Sequence, residues 1–582
     1  MSKNFIFTRL LSFCLLFAFH FSLAQKKDEN IGTEVVNVVK PYTPTISDAF
    51  KVKEIPFLED ADNSKKEEIK YNFFSFPVAS TFVPTKGRAA NVDKSQAEKL
   101  YKNFANLGLG NYMALNAELF VTENISDHEY VGGMFRHLSS QGGIKGVALN
   151  NDFYTTSVDL TYGNHQSKFS WISDLGYQNQ IYNWYGIPEF LPQVTIDRIN
   201  PKHTFNNFYI GTNLSLNDSF LKEASLKYNR FWDAHGSAEN RFYVKPSFEF
   251  DVLSQKIKTN FIVDYLGGSF EKNFLSTSSI KYGFTNFGIH PNVAVNKNNW
   301  AINIGASVFY SADNGNSKSK LFLYPQVNAS LKVVGDFMIF YTGVEGGLDQ
   351  NSYRDFSIEN PFVSPTLAIA PTDKQFDLFA GLKGKLSNNV SYTLRGSVQN
   401  EKNKPLFMSN QFNMFAANTE SYQFGNSFSV VYDDIKTVNL FGELKADFSK
   451  NVSVDINGSL SRYFTTYQEE AWNLPTIKLG SNIHVKITNK WFAGANVFFV
   501  GERKDIVYQQ SMIAIFPPAY YPETSNLKGY LDANFNIGYN HSDRLTGFLK
   551  LNNITNQNYQ KWMNYPVQGI QVLLGASYKF DF

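Results

Sequence analysis

The sequence predicts an all-β fold: a transmembrane antiparallel β-barrel of about 22 strands behind a short periplasmic N-terminal segment. Three observations lead there. The first is the chain end, Gln568–Phe582. Ile570, Val572, Leu574, Ala576, Tyr578, Phe580 and Phe582 fall on one face; Gly569, Gln571, Ser577, Lys579 and Asp581 fall on the other, with Leu573 and Gly575 as small or apolar exceptions. A period of two is a strand. A strand that closes on an aromatic suits an apolar band against lipid and a polar face towards a lumen. The second is composition. Aromatics reach 16%, with 54 Phe and 32 Tyr, while charged residues are only 18%. Mean hydropathy is nevertheless slightly negative, and after the N-terminal stretch no apolar run is long enough for a membrane helix. The third is a repeating grammar from about residue 109 onward: an alternating strand, a short polar turn, another strand, a longer connection.

The elements follow in order. Lys3 and Arg9 form a basic n-region, Leu10–Phe19 an apolar core, and Ser22-Leu23-Ala24 a small-x-small cleavage site. Residues 1–24 therefore read as a secretory signal peptide. It contains the only cysteine, Cys14, so the mature chain is expected to have neither disulfides nor thiolate chemistry. Residues 25–68 are charged and carry Pro41, Pro44 and Pro56, which suggests an extended periplasmic segment. Residues 69–582 are assigned to the barrel. Phe153–Gly163 sets Tyr154, Val158, Leu160 and Tyr162 against Thr155, Ser157, Asp159 and Thr161. Val438, Leu440, Leu444 and Phe448 oppose Asn439, Glu443, Lys445 and Asp447. A dry core has no place for such charges, so that face must meet water.

Short turns are expected near 124–127, 164–167, 217–220, 253–255, 296–299, 335–336, 386–389, 449–451, 488–490 and 541–543. Long connections lie near 139–151, 179–201, 349–373, 401–434, 464–474, 502–527 and 553–567. Short periplasmic turns alternating with long outer loops are the pattern of an outer-membrane barrel. Counting back from the C-terminus gives 21 strands over 109–582. Parity then asks for one more ascending strand, and Lys70–Pro84 fits it. A separate short strand at Phe428–Tyr432 would break that parity. The expected location is the outer membrane of a Gram-negative bacterium, in contact with its lipids.

A resemblance sits in the last 55 residues. Leu527–Tyr539 precedes Leu549-Lys550-Leu551-Asn552-Asn553-Ile554-Thr555-Asn556, then Tyr559, Trp562, Tyr565-Pro566 and Gly569, before the final strand. This resembles the C-terminal end of TonB-dependent receptors. The resemblance implies the barrel, and a terminal strand (Tyr578, Phe580, Phe582) that the barrel-assembly machinery reads. Near the mature N-terminus, Glu34-Val35-Val36-Asn37-Val38-Val39 resembles a TonB box, a β-prone peptide that pairs edge-on with TonB. An ordinary valine-rich strand, or a peptide for another periplasmic or outer-membrane protein, is the other reading. The family carries a plug domain of well over a hundred residues, and only about 45 residues separate the cleavage site from the first expected strand. Energised import is therefore not implied, and something else must fill so wide a lumen.

No catalytic, cofactor or metal site is expected. The nine histidines show no HxxxH or HExxH spacing, and a formal charge of +2 gives nucleic acid no electrostatic footprint. The outer loops hold the candidate contacts for a ligand or partner: Tyr182, Trp184, Tyr185, Phe412, Phe415, Tyr520 and Tyr521. Aromatic faces beside amide groups suit sugars, peptides or a protein surface; a membrane-interface girdle or loops packed on one another would use the same residues. Three functions fit: a receptor-like barrel in transport or binding, an accessory subunit with a closed lumen, or a passive diffusion porin.

Overall fold

The computed structural model describes residues 100–252, 255–412, 419–510 and 520–582, with the side chains of 509, 510 and 520 outside that description. The strands in chain order are β1 Asn103–Gly110, β2 Leu115–Asn124, β3 Glu129–Ser140, β4 Phe153–His165, β5 Phe169–Asn183, β6 Lys202–Leu216, β7 Leu221–Asp233, β8 Ala238–Val252, β9 Gln255–Phe270, β10 Ile280–Lys297, β11 Trp300–Asp313, β12 Lys318–Val334 and β13 Met338–Asp349. They continue with β14 Thr372–Ser387, β15 Val390–Ser409, β16 Phe428–Ser449, β17 Val452–Phe464, β18 Ile477–Lys486, β19 Trp491–Val500, β20 Arg503–Gln510, β21 Tyr520–Leu527, β22 Tyr530–Asn540, β23 Leu545–Asn552, β24 Gln560–Trp562, β25 Tyr565–Pro566 and β26 Gln571–Phe580. Twenty-two of them form one sheet. Each pairs antiparallel with the next barrel strand, β19 passing to β22 and β23 to β26. β26 then closes on β1, with Asn103 opposite Phe580 and Gly110 opposite Leu573. Closure removes the open edge that a membrane would not tolerate. The β20–β21 and β24–β25 hairpins stand outside the barrel sheet.

Nine of the ten expected short turns are present at one end of the barrel, the other, 253–255, falling mostly outside the described residues. The seven expected long connections are at the opposite end, with 401–434 shortened because β15 runs to Ser409 and β16 begins at Phe428. Four further connections at the long-loop end are short: 111–114, 234–237, 271–279 and 314–317. The count of 21 strands from 109 onward holds, β2 being the first. The ascending strand before it is β1, Asn103–Gly110, and the barrel closes on it. Lys70–Pro84, expected in that role, lies outside the described residues. So do residues 1–24, 25–68 and Glu34–Val39. Phe428 begins β16, a single strand of 22 residues, so the parity is intact.

The predicted alternation has its expected sense. Leu574 is 67% exposed on the outer surface while Ser577 is 6% exposed on the lumen side. Leu160, Leu440, Ile456 and Leu460 are also exposed, and Ser157 and Ser307 are buried. Leu573, one of the two exceptions in the final strand, is buried inside. Exposed Phe220, Trp300, Phe337, Phe448 and Trp491 mark the short-turn rim, an aromatic girdle. No described helix is long and apolar enough to cross a membrane. On this basis Leu444→Arg, on the outer face between Tyr392 and Ile456, should cost about 2–4 kcal/mol in a bilayer. Asn439→Arg, on the lumen face of the same strand, should cost about 1 kcal/mol, the worth of its bond to Ser461. Urea unfolding in lipid vesicles separates the two.

β15 and β16, at 20 and 22 residues, are about 65–75 Å long at 3.3 Å per residue. β15 begins and β16 ends at the short-turn end, so their surplus length rises on the long-loop side. That surplus carries the wall against which the loops pack.

Candidate functional site

The barrel's inner wall is polar and ion-paired. Arg136 meets Asp159 at 2.7 Å, and the Tyr209 hydroxyl donates to the same carboxylate at 2.7 Å. Arg241 grips Asp264 with both arms of its guanidinium, at 2.9 and 2.7 Å. Arg395 donates to Asp377 at 2.9 Å. The forked Arg241–Asp264 pair and the single-contact pairs beside it hold charge in a partly desolvated lumen without leaving it uncompensated.

The long-loop mouth is covered by the chain's own loops. The central piece is the connection between β13 and β14, residues 350–371, called the strap below. It contains the helix Tyr353–Glu359, capped by the Ser352 side chain, which accepts from the Asp355 amide at 3.0 Å. Tyr353, Phe356, Val363, Leu367 and Ile369 of the strap are buried together with Phe205, Phe231, Leu266, Phe270 and Phe284 of the wall. Phe407, Phe428, Trp562 and Tyr565 complete this cluster from the far side. A soluble-type apolar core thus sits across the top of a polar lumen.

Directed bonds hold the strap in place. Glu239, at the outer end of β8, accepts from the Tyr353 amide at 2.8 Å, the Arg354 amide at 3.4 Å and the Tyr282 hydroxyl at 2.8 Å. A wall carboxylate on a helix N-terminus satisfies N–H groups the helix cannot pair itself. The Tyr353 hydroxyl donates to Asp233 at 2.8 Å. Burial first, and Asp233 second, push that hydroxyl well above its usual range, so it remains a donor. Arg354 donates to Asn207 at 3.2 Å and Arg241 to Asp355 at 3.3 Å. Further along, His203 Nε2 donates to the Pro361 carbonyl at 2.7 Å, and Trp184 Nε1 to the Phe362 carbonyl at 3.2 Å. Phe428 N–H donates to the Phe362 carbonyl at 3.0 Å, and Ser364 N–H to the Phe428 carbonyl at 2.8 Å.

The sequence-predicted contact residues fall unequally on this arrangement. Trp184, 1% exposed, stacks on His203 at 4.1 Å. Tyr182 packs against Phe153, His203 and Phe362. Tyr185 lies edge-on to Tyr565 at 4.8 Å and donates to the Pro566 carbonyl at 3.0 Å. Tyr565 itself stacks on Phe362 at 3.7 Å and donates to the Asn426 carbonyl. That ring passes so close to Gly186 that a Cβ there would lie 2.4 Å from it. Phe412 packs between Phe190 and Phe424 in a neighbouring cluster. Tyr521, 56% exposed, faces solvent on the β20–β21 hairpin, to which Tyr520 contributes its backbone. Phe415 lies outside the described residues. Tyr578, Phe580 and Phe582 follow one another along the barrel exterior, with ring centroids 6.1 and 5.4 Å apart. Glu239, Asp233, His203, Asn426 and the strap were not singled out by sequence, beyond the length of the connection at 349–373.

Trp184→Ala should destabilise the cap by about 3–5 kcal/mol, since it removes a buried ring and a strap bond together. Limited proteolysis should then cut the strap while the barrel keeps its heat-resistant mobility on a gel.

A closed 22-strand sheet with an outward apolar belt, a polar lumen and a loop-covered mouth defines a membrane-spanning barrel. The comparisons place that fold more narrowly. No protein-family model matches the chain, and no curated protein does. Among solved structures it is similar to the FrpB iron transporter of Neisseria meningitidis, with a TM-score of 0.63 and 11% identity, over 83% of this chain and 82% of that one. It is similar also to the pyoverdine outer membrane receptor FpvA of Pseudomonas aeruginosa PAO1 (TM-score 0.60, 11% identity, 82% and 78% covered). A third is the ferric-catecholate import receptor Fiu of Escherichia coli K12 (TM-score 0.58, 11% identity, 82% of both chains). The fold is thus that of the TonB-dependent outer-membrane receptor barrels.

Proposed function

We propose that this chain is an outer-membrane barrel acting in transport or ligand binding across that membrane, with its mouth held shut by its own strap. The observation that carries this reading is the covered mouth over an ion-paired lumen. A diffusion porin has no use for a buried aromatic lid across its axis, whereas a barrel that must bind before it opens does. The similar barrels, an iron transporter, a pyoverdine receptor and a catecholate import receptor, support the transport class without naming this chain's cargo. In this reading the chain holds and passes a ligand without chemistry upon it. Residues 1–24 direct export and residues 25–68 work in the periplasm. The terminal Tyr578, Phe580 and Phe582 serve recognition by the assembly machinery, and their outward faces meet lipid.

The accessory-subunit reading shares the closed lumen, and Glu34–Val39 separates the two. Strand addition to TonB needs a free backbone N–H at alternate positions. Val36→Pro should therefore abolish capture of the TonB periplasmic domain by the mature protein. Capture of a different periplasmic protein, with TonB left unbound by the wild type, would transfer the proposal to an accessory role.

A further inference from the structure

On the outer side of the cap four connections converge on a second feature, separate from the strap's anchorage. They are 234–237, 271–279, the strap and the stretch before β16. A cavity of about 210 Å³ lies among them. Its working groups are His235, Glu271, Lys272, Glu420 and Tyr422, with Gly236 and Pro365 completing the wall. Lys272 is ion-paired with Glu420. Glu271 is exposed and makes no hydrogen bond or ion pair among the described residues, while Lys272 feels its charge, so two carboxylates share one ammonium and the pocket is net negative. The potential is felt nearby: burial first, then Glu420, Asp233 and Glu271, raise the Tyr422 hydroxyl above its usual range.

The pocket is held in shape. His235 lies 5.2 Å from Trp184 and 5.5 Å, edge-on, from Tyr422. The Glu271 carboxylate folds over Gly236, whose φ is +77° and whose Cβ, if it had one, would sit 2.3 Å from Oε2. Only glycine allows both that backbone and that approach. A carboxylate in excess of the one ammonium, beside the rings of His235 and Tyr422, is the chemistry of an organic cation. No group of three His, Cys, Asp or Glu able to hold a metal ion occurs among the described residues. An anion would meet one ammonium, already paired. The volume equals about seven waters at 30 Å³ each, the scale of an amino sugar or a small amine.

We propose that this cavity is a binding site for a small hydroxylated ammonium compound, with Glu271 as its counter-charge. The inference does not rest on the transport reading, because it concerns binding to the closed barrel. Pro365 belongs to the strap, so an occupant would also touch the element that covers the mouth.

The test is isothermal titration of the full-length chain in detergent with glucosamine, and with glucose as the isostere lacking the amine. Saturable binding of glucosamine that exceeds glucose is expected. Glu271→Gln should weaken it about tenfold, the loss of one charge-assisted contact. Lys272→Met frees Glu420 and should move affinity the opposite way, upward, which guards against a variant that merely unfolds the loop. The proposal is overturned if glucosamine and glucose bind alike, if neither binds saturably, or if both variants shift affinity in the same direction. Failure of the TonB capture above would leave this result untouched, and the reverse holds.

Discussion

Replacing residues 352–370 with a short Gly-Ser linker should turn a quiet barrel into one with large, steady single-channel openings in planar bilayers. The strap supplies five buried apolar side chains to the central cluster. It also makes directed bonds across the mouth, to β6, β7, β8 and β16. Removing it leaves an ion-paired, water-compatible wall with no apolar lid. The barrel should survive, because β13 and β14 pair directly from Asp349–Thr372 down to Ile339–Lys383 without the strap. Conductance should therefore rise several-fold while unfolding in vesicles changes little. The companion experiment deletes residues 25–68 with the strap intact. Silence there, and openings on strap loss, assigns closure to the loops. Openings only when both are removed would assign closure jointly to the N-terminal segment and sink the strap as sole gate. Large openings of the untouched chain would mean a porin.

The barrel was legible because its information is local. A strand declares itself by alternation within ten residues, and a tight turn by a few polar residues such as Asn217–Ser219 or Lys450–Asn451. β1 escaped for the same reason. Asn103–Gly110 is only 8 residues with two glycines, too short for a period of two to stand out, whereas Lys70–Pro84 is a longer run rich in Phe and Val. Alternation measures a strand's amphipathicity, and closure of a barrel asks only for backbone partners. The cap was illegible because its contacts are long in sequence. Trp184 reaches Phe362, 178 residues away, and Gln568 reaches Ser140, 428 away. Aromatics such as Tyr182 and Tyr185 announce burial or binding with the same signal. Only the tertiary fold shows that Trp184 and Tyr185 pack within the cap while Tyr521 stands outside. Glu239 had no signal at all: one carboxylate at a strand start reads as a solvated charge until a helix N-terminus arrives from more than a hundred residues away.

That carboxylate is where the second large effect is expected. Glu239→Ala leaves the Tyr353 and Arg354 amides without their acceptor inside a buried site, and strips Tyr282 of its partner. Bonds to a carboxylate are worth about 1.5–3 kcal/mol each, and the Arg354 contact at 3.4 Å is too long to count fully. Docking of the strap helix should lose about 3 kcal/mol, which at 1.4 kcal/mol per decade raises its opening roughly a hundredfold. The unfolding free energy of the barrel should change much less, since closure from β1 to β26 does not involve this residue. Hydrogen exchange reads the difference directly: amides 353–363 should speed up together while those of β8 and β9 keep their protection. Glu239→Gln, which retains an acceptor oxygen for one amide but no charge for the helix terminus, should fall between. If the strap amides exchange at wild-type rates in Glu239→Ala, the apolar cluster alone holds the strap, and the carboxylate is not its latch. If β8 and β9 lose protection as well, Glu239 supports the wall rather than the gate. Conductance of the same variant should then decide whether a loosened strap is already an open mouth. Brief flickers, instead of the steady openings of the deletion, are expected from a helix that undocks and returns.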